Sequence, residues 1–210
     1  MLLSVLLATA ALAPSFALAA PLSVEPRAAT KILISSDSTT ANYATGNALQ
    51  AADRATLPGI GEETKVVTTS TGAKETVHTF GWYLRKMIAD VKAKGATPII
   101  SGMVNRNYWS GNTLRTDWPF ATYAQQVAKA AGVEYLDHTK YSVALFQSFG
   151  PTKAKTYFPN DNTHTNWDGA KLNTQTFVRS VKCKCGGTSK LAQYLNAAAN
   201  ALQTPACQAC

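Results

Sequence analysis

Residues 77–101 read VHTFGWYLRKMIADVKAKGATPIIS. Phe80, Leu84, Met87, Ile88 and Val91 recur at helical spacing, and Gly95 stands where a helix stop belongs. TPIIS at 97–101 then has the short apolar character of a buried strand. Helix followed by strand is one step of the alternation that builds a parallel sheet with helices on both faces. The alternation continues downstream. Asp117 and Pro119 open a helix that runs to about Ala131, with Gly132 as its stop. VEYL at 133–136 is another short strand, and residues 138–149 are expected to be helical. The last core helix spans 168–181, with Leu172, Phe177 and Val181 inward. Leu191, Tyr194, Leu195, Ala198 and Leu202 have the spacing of an amphipathic C-terminal helix.

Upstream, KILIS at 31–35 is expected to form a short buried strand that ends in SDSTT, residues that favour helix caps and turns. Residues 41–77 hold no sustained period, although 65–71 suit one arm of a hairpin. A connection that long without regular structure is unusual in a compact domain.

At 210 residues and 46% hydrophobic content, the chain suits one domain with a sizeable core. Residues 1–19 are expected to be a signal peptide, because the apolar run ends in Ala17-Leu18-Ala19 and cleavage fits after Ala19 or Ala20. Pro14 and those small residues argue against a membrane anchor, and no other stretch is expected to span a bilayer. Residues 20–30 are expected to form a flexible leader. The net charge of +8 suits acidic partners such as uronate-rich polysaccharide. Its scatter, with no basic helical stripe, argues against nucleic acid. Four cysteines lie at 183, 185, 207 and 210. Cys183 and Cys185 are too close to bond to each other easily, so each is expected to pair with Cys207 or Cys210 and tether a tail at 184–210. Their spacing does not suit zinc.

The chemistry concentrates in YFPNDNTHTNWDGA at 157–170. Asp161 precedes His164 by three residues, an offset that brings both side chains to one face. A carboxylate there can fix the imidazole tautomer and leave the second nitrogen to act as a base. The nucleophile to match it is Ser38, just past the end of the first strand, where open α/β sheets bind ligands. The plainer alternative is a polar turn that caps the helix near Trp167. Asp137 and His138 form a rival pair, but adjacent residues on an extended chain face opposite ways. Asp168 reads as a cap, and His78 as a capping or surface residue. Asn105, Arg106 and Trp109, with Tyr108, are candidates for binding a sugar; a surface loop with one buried tryptophan is the competing reading.

DST at 37–39, KGATPIISGMVNRNYW at 94–109, and DNTH at 161–164 followed by Gly169 and Ala170 together resemble the SGNH (GDSL-type) hydrolases. Within them the likeness is to the rhamnogalacturonan acetylesterase-like branch, over residues 31–183. The resemblance implies an α/β domain at 31–183, a three-layer parallel sheet flanked by helices. It implies a secreted, monomeric serine esterase that deacetylates pectic polysaccharide and needs no metal or organic cofactor. Ser38 would attack the ester, His164 would serve as base, and Asp161 would orient His164.

Two features depart from the family. Its first block begins with glycine, where this chain has Ser36. Its second and third blocks, which supply a glycine N–H and an asparagine side chain to the oxyanion hole, have no counterpart between ANYATGNALQ at 41–50 and AADRATLPGIGEE at 51–63. A sheet with fewer strands and an impaired esterase are therefore expected. Loss of one oxyanion donor typically costs about 2.7–4 kcal/mol, or roughly 100- to 1,000-fold in rate. The alternatives are a secreted glycan-binding protein without turnover, or a basic effector acting on a host surface.

Overall fold

In a computed structural model, the structure describes residues 57–69 and 71–210. The expected signal peptide, leader and first strand, and Ser38 itself, lie outside them. A hairpin comes first, formed by antiparallel strands β1 (Thr64–Thr68) and β2 (Lys74–His78), with Val66 opposite Thr76. It supplies the arm expected at 65–71. Helix α1 (Phe80–Ala93) follows at once. Its N-cap is Thr79, whose hydroxyl accepts from Trp82 N (3.1 Å) and donates to the Gly61 carbonyl (2.6 Å), which pins the preceding loop to the helix start.

Strand β3 (Ile99–Ser101) comes next, then a short antiparallel pair, β4 (Trp109–Ser110) and β5 (Thr113–Leu114). Helix α2 (Pro119–Ala130) leads to β6 (Glu134–Leu136). Strands β3 and β6 pair in parallel, with Ile100 opposite Tyr135, and α2 is the helix of the crossover. This is the parallel sheet among the described residues, which otherwise combine helices, two small antiparallel sheets and an isolated parallel bridge between Leu57 and Thr79. Both helix stops fall where expected: Gly95 and Gly132 follow the C-caps of α1 and α2 with φ of 70° and 61°.

Helix α3 (His138–Lys155) is interrupted at Gly150, ahead of Pro151. Helix α4 (Trp167–Lys182) packs against α3. The core beneath the 157–166 segment is Leu114, Phe146, Ala154 and Phe158, with Trp109, Tyr157 and Leu172 against it. The rings of Phe146 and Phe158 meet edge to face with centroids 5.5 Å apart. Phe158 is 1% exposed, so one end of the segment carrying Asp161 and His164 is nailed into the core.

The tail corrects one expectation. No single amphipathic helix covers 191–202. Instead, a 3-10 turn (Ala192–Tyr194) and a five-residue helix α5 (Ala197–Ala201) are separated by extended backbone at Leu195 and Asn196. Asn196 caps α5 by accepting from Ala199 N (2.9 Å), and that local bond competes with a continuous helix. The disulfides are Cys183–Cys207 and Cys185–Cys210, within the pairings expected. Closing loops of this length typically contributes about 3 kcal/mol each in the chain-entropy view. Buried Arg179 adds a polar grip on the tail, donating from Nε to Pro205 O (2.6 Å) and from Nη1 to Leu202 O (2.9 Å). Among the described residues no helix is long and apolar enough to cross a membrane.

Candidate functional site

The 157–166 turn is held by its backbone. Asn166 N donates to Tyr157 O (2.9 Å), which closes the segment on itself. The Asn166 side chain donates to Thr156 O (3.0 Å) and accepts from Gly169 N (2.9 Å), capping α4. A Cβ at Gly169 would lie 2.6 Å from Thr165 Cβ and 3.2 Å from Tyr157 Cβ, so only glycine lets the helix start sit this close to the turn.

Within that frame Asp161 uses both carboxylate oxygens. Oδ1 accepts from the backbone N–H of Thr163 and of His164, each at 2.6 Å, and Oδ2 meets His164 Nδ1 at 2.7 Å. Because a carboxylate only accepts, Nδ1 carries the proton and Nε2 is the basic nitrogen of the neutral ring. The His164 ring, followed by the two backbone N–H groups, holds the Asp161 carboxyl well below the usual carboxylate range. The pair is partly open, with side chains 38% (His164) and 45% (Asp161) exposed.

The loop at 105–109 is tied to this turn. Asn107 N donates to Asn162 O (2.8 Å), and the Asn107 amide faces Asn162 Oδ1 at 3.5 Å. Trp109 Nε1 donates to Asn107 Oδ1 (2.7 Å), so the indole is oriented through the same asparagine. Trp109 and Tyr108 line an open cleft of about 370 Å³ that also includes Arg115 and Asp117. Arg115 pairs with Asp117 (2.8 Å) and lies 4.6 Å over the Trp118 ring.

The three proposed sugar-binding residues are thus placed differently. Trp109 lines the cleft. Arg106 is half-buried and Asn105 is 1% exposed, and neither is among the cleft residues. Asn105 N donates to Ser142 Oγ (2.9 Å), while its Oδ1 is buried without a hydrogen-bond partner among the described residues. The Asn107–Asn162 link was not anticipated; the abundance of asparagine in both loops is the one trace of it in the sequence.

The competing acid–base candidates have other occupations. Asp137 caps α3, accepting from Lys140 N (3.1 Å). His138 is buried, with Nε2–H directed at Asn173 O (3.0 Å) beside Thr176 Oγ1 (2.9 Å). Burial pushes its pKa down to about 4, despite the hydrogen bond to Asn173, so it is neutral. Asp168 pairs with Lys171 (3.0 Å) in the first turn of α4. His78 stacks on Trp82, with ring centroids 3.7 Å apart.

With an Asp-fixed imidazole established, comparison with known proteins gives the context. Over 131 residues the chain is 36% identical to a rhamnogalacturonan acetylesterase of Emericella nidulans, covering 62% of this chain and 53% of that protein. This chain is similar to rhamnogalacturonan acetylesterases. A second relative, a probable rhamnogalacturonan acetylesterase of Bacillus subtilis, is 29% identical over 110 residues, 50% of this chain and 51% of that protein. The chain therefore spans about half the length of the curated relatives it matches. The crystal structure of protein YXIM from Bacillus subtilis aligns with a TM-score of 0.43 at 28% identity, over 47% of this chain and 29% of that one. No family model matches.

Proposed function

We propose that the chain is a secreted carbohydrate esterase of the SGNH type that removes acetyl groups from pectic polysaccharide, with Ser38, His164 and Asp161 as its catalytic residues. The observation that carries this reading is the Asp161–His164 pair, whose carboxylate holds the ring at 2.7 Å while being held itself by two backbone N–H groups. Similarity to two rhamnogalacturonan acetylesterases supports the substrate class. Two disulfides suit an oxidising compartment and support export.

In this mechanism His164 Nε2 takes the proton from Ser38 Oγ as that oxygen adds to the acetyl carbonyl. The imidazolium, stabilised by Asp161, then protonates the departing sugar hydroxyl, leaving an acetyl group on Ser38. Water, deprotonated by the same nitrogen, releases acetate and restores the serine. Asp161 acts as a fixed anion throughout. Trp109, set by Asn107, offers an aromatic wall beside the turn for a pyranose ring, and Arg106 and Asn105 support the loop that carries it.

Impairment follows from the sequence blocks that have no counterpart here: they would carry two of the oxyanion donors, and loss of even one lowers turnover by roughly 100- to 1,000-fold. Nitrophenyl acetate hydrolysis by wild type and Ser38→Ala tests the reading. A low wild-type rate that Ser38→Ala abolishes is expected. Equal rates in the two chains would leave glycan binding without turnover as the function.

A further inference from the structure

Trp167 is 76% exposed, more than any other large apolar side chain among the described residues. Indole is on average well buried, and its amphipathic ring is favoured where a partner covers it. The backbone beneath it is fixed. Asn166 is bonded to Thr156, Tyr157 and Gly169, and Gly169 lies hard against Thr165. The indole is therefore carried outward by a braced turn, not by a loose loop. It lies three positions after His164, which keeps the two Cα atoms within about 11 Å. The acid–base pair is itself partly open to solvent.

We propose that Trp167 is a stacking platform for a pyranose ring that neighbours, along the polysaccharide, the sugar whose acetyl ester meets His164. The inference rests on the esterase reading of the Asp161–His164 pair for its geometry. Its chemistry is that of an exposed aromatic face against the apolar C–H face of a sugar. Stacking at a neighbouring ring strengthens binding of a polymer more than it helps a small acetyl ester, so Trp167 is a specificity-determining residue.

Acrylamide quenching of intrinsic fluorescence in the full chain tests this directly, since Trp82, Trp109 and Trp118 are all less exposed than Trp167. A rhamnogalacturonan oligosaccharide should protect the wild type from quenching, and the protected component should vanish in Trp167→Phe. For turnover of the acetylated oligosaccharide, Trp167→Ala should raise KM about tenfold with kcat little changed, and Trp167→Phe should restore most of the loss. Quenching unaffected by the oligosaccharide, or an unchanged KM in Trp167→Ala, overturns the proposal. If the oligosaccharide protects Trp167 while the wild type hydrolyses no ester, the platform stands and the esterase reading fails.

Discussion

The chain holds two neighbouring Asp–His pairs, and they have opposite fates. Asp161 and His164 are three residues apart on a turn, bonded to each other at 2.7 Å and partly open to solvent. Asp137 and His138 are adjacent where β6 gives way to α3. There the carboxylate caps the helix and the imidazole is buried against Asn173 and Thr176. Composition is the same in both; spacing and burial decide the chemistry. A turn lets one carboxylate clamp two backbone N–H groups and still reach the ring. A strand end sends the two side chains to different faces, and burial then removes the charge from the histidine.

The largest effect expected from this contrast is on turnover. In Asp161→Asn the amide oxygen can keep the two backbone N–H bonds, but the acceptor for Nδ1–H is lost and the wrong ring tautomer is favoured. Esterase turnover should fall by roughly 10³- to 10⁴-fold, or to the Ser38→Ala level if that is reached first. The same substitution at Asp137 keeps a good cap and should change stability by only a few tenths of a kcal/mol, with no effect on turnover. Parallel rate and unfolding measurements on the two variants check both halves.

A smaller effect concerns stability and pH. The pKa of His138 is lowered by folding, to about 4, so between pH 6.5 and 4 the unfolded chain binds the extra proton. Its contribution is complete above pH 6.5 and declines by roughly 3 kcal/mol as pH falls to 4. Urea unfolding of wild type and His138→Gln should show a flatter pH dependence for the variant across that window. Identical slopes would remove the buried-neutral assignment.

What was legible in the sequence follows the range of the interactions involved. Helix α1 was visible because Phe80, Leu84, Ile88 and Val91 repeat within one element and Gly95 ends it. The Asp161–His164 bond was visible because three residues on a turn determine it. The C-terminal helix was misread because apolar spacing from Leu191 to Leu202 ignores Asn196, whose side chain finds a closer partner in its own backbone. The choice between Cys207 and Cys210 was open because it depends on how the tail crosses α4, where Arg179 holds the Pro205 and Leu202 carbonyls. The Asn107–Asn162 link joins residues 55 positions apart, and no local pattern encodes it. Sheet pairing has the same difficulty: Ile100 meets Tyr135 only after α2 has folded back between them.

In the proposed mechanism Ser38 is activated by His164. Fluorophosphonate labelling followed by peptide mapping of the full chain tests it most directly. Covalent label is expected on Ser38 in the wild type and none in His164→Ala. Label that is absent from Ser38 in the wild type, or equally present when His164 is removed, would contradict it.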